Sequence, residues 1–191
     1  RQGFYVPRYV IEGDKARNIA PMASDLKTVR DLAKYPQLFQ DDENKDKGRI
    51  YGAIPGWGID TILYKKYVAY GLDKDFIYFR SGSEAALFTA FMAAYTKGEP
   101  IVGYCYEPTW ISGKLDMVLL EDAPYSPEAF DAGLTEARGV PVCVVANVQL
   151  LEKSPEFASF LKKYRTSSAL TAEALAHIAD TKADYHTTAK W

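Results

Sequence analysis

The chain is poor in the residue types that metal sites and nucleophilic catalysis depend on. It has two cysteines and two histidines in 191 residues. Cys105 and Cys143 lie in β-like runs, where buried free thiols are the expectation, and two cysteines define no disulfide framework. His177 and His186 have no metal-ligand spacing, and neither Cys-x-x-Cys nor His-Glu-x-x-His occurs. A Walker loop, a Gly-x-Ser-x-Gly elbow and a Gly-x-Gly-x-x-Gly fingerprint are all missing, which argues against an enzyme and against any cofactor. No apolar run reaches the roughly 18 residues of a membrane span. No signal-peptide pattern opens the chain. Neither charge sign dominates: 23 basic and 25 acidic side chains are interspersed at a net charge of −2, so no nucleic-acid surface is expected.

What is present is aromatic. Phe, Trp and Tyr make up 14% of the chain, with 14 tyrosines, against an ordinary globular background of 48% hydrophobic and 25% charged residues. The length suits one large or two small domains. Helices are expected over 25–35, capped by Ser24 or Asp25, over 59–70 with Gly71 as a left-handed cap, from Ser81-Gly-Ser-Glu84 through Tyr95, and at about 154–164 and 171–180. Strands are expected at 48–54, 76–80, 101–106, 117–121 and 140–147. Alternation of the two predicts an α/β fold with a mainly parallel sheet.

The most informative stretch is Gly48-Arg-Ile-Tyr-Gly-Ala-Ile-Pro-Gly-Trp-Gly-Ile-Asp60. Pro55 fixes its own φ and Gly56 accepts a positive one, so the chain reverses cheaply after a strand. Trp57 then stands at the opening of a helix, where backbone N–H groups lack intrahelical partners and the dipole is positive. A ligand with a cation at one end and a carboxylate at the other would fit, the cation on the indole and the anion on the amides of Gly58 and Ile59. The alternative is a tryptophan that only anchors packing.

A second aromatic group closes the strand Ile101 to Tyr106, which Glu107-Pro108 terminates. Tyr104 and Tyr106 share a face, and together with Trp110 they crowd the C-terminal end of the strand, where open α/β sheets hold their ligands. Core packing is the competing reading, and for Trp110 the favoured one. The serines of Ser81-Gly-Ser-Glu84 read as helix caps, although their N–H groups also offer an anion-friendly end.

Ile54-Pro-Gly-Trp-Gly-Ile59, Gly103-Tyr-Cys-Tyr-Glu-Pro-Thr-Trp110 and Gly113-Lys-Leu-Asp-Met-Val-Leu-Leu120 resemble the glycine betaine/choline/proline family of ABC-transporter substrate-binding proteins. The likeness extends to Tyr5-Val-Pro-Arg-Tyr-Val10, Phe79-Arg-Ser-Gly-Ser-Glu-Ala-Ala-Leu87 and Val140-Pro-Val-Cys-Val-Val-Ala-Asn147. It implies a type II periplasmic-binding-protein-like clamshell with the first lobe incomplete. Residues 1–10 would be the crossover, 11–102 the second lobe and 103–191 the returning part of the first. Trp57 would be one wall of an aromatic cage for a trimethylammonium group, and the amides of Gly58 and Ile59 would hold the carboxylate. Tyr106 would be a second wall, where the family usually has tryptophan. Glu107 is either a charge facing the ligand or a solvated or ion-paired rim residue. Tyr5 completes the candidate ligand set.

The partners so implied are a small quaternary amine and the permease subunits of an importer. The location is extracytoplasmic, with membrane association through the transporter or a lipid anchor. The alternative is the sensor domain of a regulator. The likeness also suggests a chain that begins mid-protein and ends inside a helix, which would leave strands without neighbours and invite a swapped dimer.

Overall fold

A computed structural model describes residues 1–191. Its centre is a five-stranded sheet of β1 (Gln2–Pro7), β2 (Gly48–Tyr51), β3 (Phe76–Phe79), β4 (Gly103–Tyr106) and β5 (Met117–Leu119), in the order β3-β2-β4-β1-β5. β2 runs parallel to β3 and β4, and β1 runs antiparallel to both β4 and β5. The parallel pairs require crossovers, supplied by α2 (Gly58–Ala69) between β2 and β3 and α3 (Glu84–Lys97) between β3 and β4. Two short helices, α1 (Arg8–Glu12) and α4 (Trp110–Lys114), follow β1 and β4. No helix is long and apolar enough to cross a membrane.

Phe4, Val6, Ile50, Phe76, Leu87 and Phe91 form the centre of the core, each at most 1% exposed. Glycine is needed where β2 meets β4: a Cβ on Gly103 would stand 2.6 Å from that of Tyr51. The closing turn of α2 follows the sequence expectation, with Gly71 left-handed at φ 70°. Because β4 and β5 share the sheet with β1, β2 and β3, a lobe boundary at residue 102 would cut through one hydrogen-bonded unit. The boundary expected from the sequence puts 103–106 and 117–119 in the other lobe, because local pattern does not reveal that β1 pairs with both β4 and β5.

Two further expectations are corrected. Residues 25–35 do not form an α-helix; only Val29–Lys34 turn, as a 3-10 helix capped by Thr28 in a reciprocal box with Asp31. The reason is pairing. Val29 N–H donates to Glu121 O and Glu121 N–H to Lys27 O, which holds residues 27–29 extended beyond the end of β5. Residues 140–147 form no strand and are not buried. Val140, Val142 and Val145 are exposed, Cys143 with them, so only Cys105 is a buried thiol.

After β5 the chain runs through α5 (Pro127–Asp131) and lies along α2. There Lys65 Nζ donates to Asp131 O at 2.8 Å and Lys66 Nζ to Thr135 O at 2.7 Å. Beyond the exposed run come α6 (Leu150–Lys153), α7 (Pro155–Lys163), α8 (Ser168–Thr181) and α9 (Tyr185–Thr188). α8 docks on α4, where a Cβ on Gly113 would fall 2.2 Å from Ala172 O. Lys114 pairs with Asp180 at the same contact.

Candidate functional site

Trp57 is the N-cap of α2, extended at φ −78° and ψ 135°, after Gly56 at φ 91°. Its own N–H donates to Ile54 O at 3.0 Å, and Asp60 N–H returns to Trp57 O at 3.0 Å. Between them the N–H groups of Gly58 and Ile59 have no acceptor in the protein. The turn rests on a buried support. Asp60, in the first turn of α2, accepts the Tyr78 hydroxyl at 3.0 Å and Arg80 Nε at 2.9 Å. That same hydroxyl accepts Ala53 N–H at 3.2 Å. Gly52 makes room, because a Cβ there would lie 2.3 Å from the Tyr78 ring. Burial, reinforced by Asp60, pushes the Tyr78 phenol well above its usual range, so it remains a donor.

The indole of Trp57 is 36% exposed and meets two tyrosines edge to face. Its centroid lies 6.2 Å from Tyr104 and 6.0 Å from Tyr106, which stack on each other at 5.9 Å. Strand alternation and the turn thus bring Trp57 and Tyr106 together as the sequence predicts, although 49 residues separate them. Burial raises both tyrosine pKa values, so both rings are neutral phenols. Trp110 is not part of the trio; it packs edge-on against Phe88 at 5.8 Å.

Tyr5 and Glu107 stand apart from the trio. The register of β1 against β4 pairs Gln2 with Tyr106 and Tyr5 with Gly103. Side chains alternate along a strand, so Gln2, Tyr104 and Tyr106 share one face while Tyr5 and Cys105 occupy the other. Tyr5 is only 1% exposed, and its hydroxyl donates to Glu107 Oε1 at 3.1 Å. Glu107 also faces Arg1 at 3.8 Å. Two residues missing from the candidate set take their place beside the trio: Gln2 Oε1 accepts the Tyr104 hydroxyl at 2.9 Å, and Glu84 Oε1 accepts the Tyr106 hydroxyl at 2.6 Å. Glu84 was legible only as a helix-start acid, and Gln2 gave no signal at all.

The result is an α/β sheet with one antiparallel strand, carrying an aromatic group beside free amides at its strand ends. Solved relatives have the same fold. Lactococcal OpuAC, closed on glycine betaine, aligns with 100% of this chain and 62% of its own at a TM-score of 0.57 and 19% identity. The fold is therefore that of the type II periplasmic-binding-protein-like clamshells.

The family model described as the substrate binding domain of ABC-type glycine betaine transport system matches residues 1–191, and the chain belongs to that family. It is 32% identical over 176 residues to the glycine betaine-binding periplasmic protein OusX of Dickeya dadantii, covering 83% of this chain and 51% of that one. It is 26% identical over 171 residues to the glycine betaine/proline betaine-binding periplasmic protein of Salmonella typhimurium, covering 82% and 48% respectively. The chain spans about half the length of these curated relatives.

Proposed function

We propose that this chain supplies the gripping lobe of an extracytoplasmic substrate-binding component of an ABC importer. Its ligand is a small quaternary-ammonium osmolyte such as glycine betaine or choline, and its downstream partners are the permease subunits. Membrane association runs through the transporter or a lipid anchor.

The observation that carries this reading is the contact of Trp57 with Tyr104 and Tyr106 beside the two unpaired amides of Gly58 and Ile59. A quaternary ammonium has no N–H to donate, so a protein holds it by π-faces and by shape. Each such contact contributes about 2 kcal/mol or more once water is excluded. A carboxylate on the same ligand finds the amides at the positive end of α2. Lobe closure would desolvate both ends, and no covalent step is involved. Tyr106 in place of tryptophan keeps a π-face but a weaker one. Tyr5 and Glu107 support this site from behind the sheet, ordering β1 against β4. The regulator reading has no observation in its favour.

Calorimetric titration of Trp57→Ala with glycine betaine and choline tests the proposal. Loss of binding with the thermal unfolding midpoint preserved is expected; affinity equal to that of the unaltered chain would overturn it.

A further inference from the structure

Glu84 is the one carboxylate attached directly to the aromatic trio, and it has no basic partner. Its Oε1 accepts the Tyr106 hydroxyl at 2.6 Å, and no Lys or Arg lies within ion-pair distance of it. Glu107, nearby in sequence, differs on both counts: it is turned to the opposite face of β4 and faces Arg1. Gln2, the counterpart of Glu84 on Tyr104, is neutral. Helix capping does not account for Glu84, because Ser83 Oγ already accepts Ala86 N–H as the N-cap of α3. The helix terminus does stabilise a negative charge at this position. Three physical facts therefore converge on one spot: an acidic side chain, no cation paired with it, and a phenol whose proton it draws away from the ring. Drawing density towards the phenol oxygen makes the Tyr106 ring a better partner for a cation, which offsets part of what tyrosine gives up relative to tryptophan.

We infer that Glu84 is a specificity-determining residue of the cage, favouring quaternary amines that carry net positive charge over zwitterions. The inference rests on the function proposed above and deepens it. For a cationic ligand such as choline, the Glu84 charge is purely attractive. For glycine betaine, the ligand carboxylate is repelled while the ammonium is attracted, so the same charge contributes less. Glu84 also holds the Tyr106 hydroxyl in place, a positioning role that would act on both ligands alike.

The test is calorimetric titration of the full chain with choline and with glycine betaine, for the wild type, Glu84→Gln and Glu84→Asp. One partly screened unit charge at the edge of the cage predicts about a tenfold loss of choline affinity in Glu84→Gln, against about threefold for glycine betaine. Added salt should weaken choline binding by the wild type more than by Glu84→Gln. Glu84→Asp keeps the charge while shortening its reach, so its choline-to-betaine ratio should stay near that of the wild type. An unchanged ratio in Glu84→Gln would overturn this inference and leave the receptor function standing. A wild-type chain that binds neither ligand would overturn both.

Discussion

The runs Phe76-Ile-Tyr-Phe79 and Val140-Pro-Val-Cys-Val-Val145 are built from similar β-forming residues. The first is strand β3, paired along its length with β2, and Phe76 is fully buried. The second pairs with nothing, and Val142 is 95% exposed. β-Propensity describes how well a side chain suits a pleated, half-buried surface. Such a surface exists only when a neighbour supplies the other half of the ladder. β3 has β2 beside it, and the valines of 140–148 have no such neighbour. The same contrast separates the two ends of the chain. Residues 2–122 close a core around a sheet, whereas α8 joins that unit through one small-residue contact at Gly113.

The largest test of this contrast is Phe91→Ala. Removing a fully buried ring from the sheet unit should cost about 3–5 kcal/mol in denaturant unfolding. A loss below about 1 kcal/mol would mean that the core is not centred there. Next is Gly113→Val, which forces α8 off α4 at a cost of about 1–3 kcal/mol. Hydrogen exchange should rise across 168–181 and stay unchanged in β1 to β4; exchange rising in both would join the two regions that we separate.

Acid should act on the sheet unit through Asp41. Burial would raise the pKa of this carboxyl, but the Arg49 guanidinium at 2.6 Å and the amides of Asn44 and Glu43 outweigh it and hold the pKa below the usual range. A carboxyl depressed on folding contributes stability above its unfolded pKa of about 3.9 and loses it as pH falls through the lower folded value. Stability should therefore decline below about pH 4, less steeply in Asp41→Asn, whose absolute stability is already reduced. Identical pH profiles for the two would remove Asp41 from this account. The smallest effect is expected for Val142→Asp, within about 0.5 kcal/mol of the wild type. A clear destabilisation would show that the run is covered in solution.

Much of the site was legible because its chemistry is local. Pro55 and Gly56 set the turn, the first helical turn leaves its amides free whatever surrounds it, and Pro108 ends the strand that carries Tyr104 and Tyr106. Tyr5 turns away from the trio and Glu107 takes the ion-paired place that the sequence left open for it, both set in extended chain. Their face depends on the register of β1 against β4, two strands about a hundred residues apart, and a shift of one residue exchanges the faces. Glu84 is not legible as a site residue, because an acid in a first helical turn is so often explained by the dipole alone.

The sequence by itself determined the elements whose geometry depends on a few consecutive residues: the tryptophan turn, the capped helices, the aromatic strand end. Tertiary structure alone decided which strands are neighbours, which carboxylate meets the aromatic rings, and whether an apolar run becomes a strand. Torsional preference and periodicity act over neighbouring residues, whereas hydrogen-bond ladders and charge contacts join residues that only folding brings together.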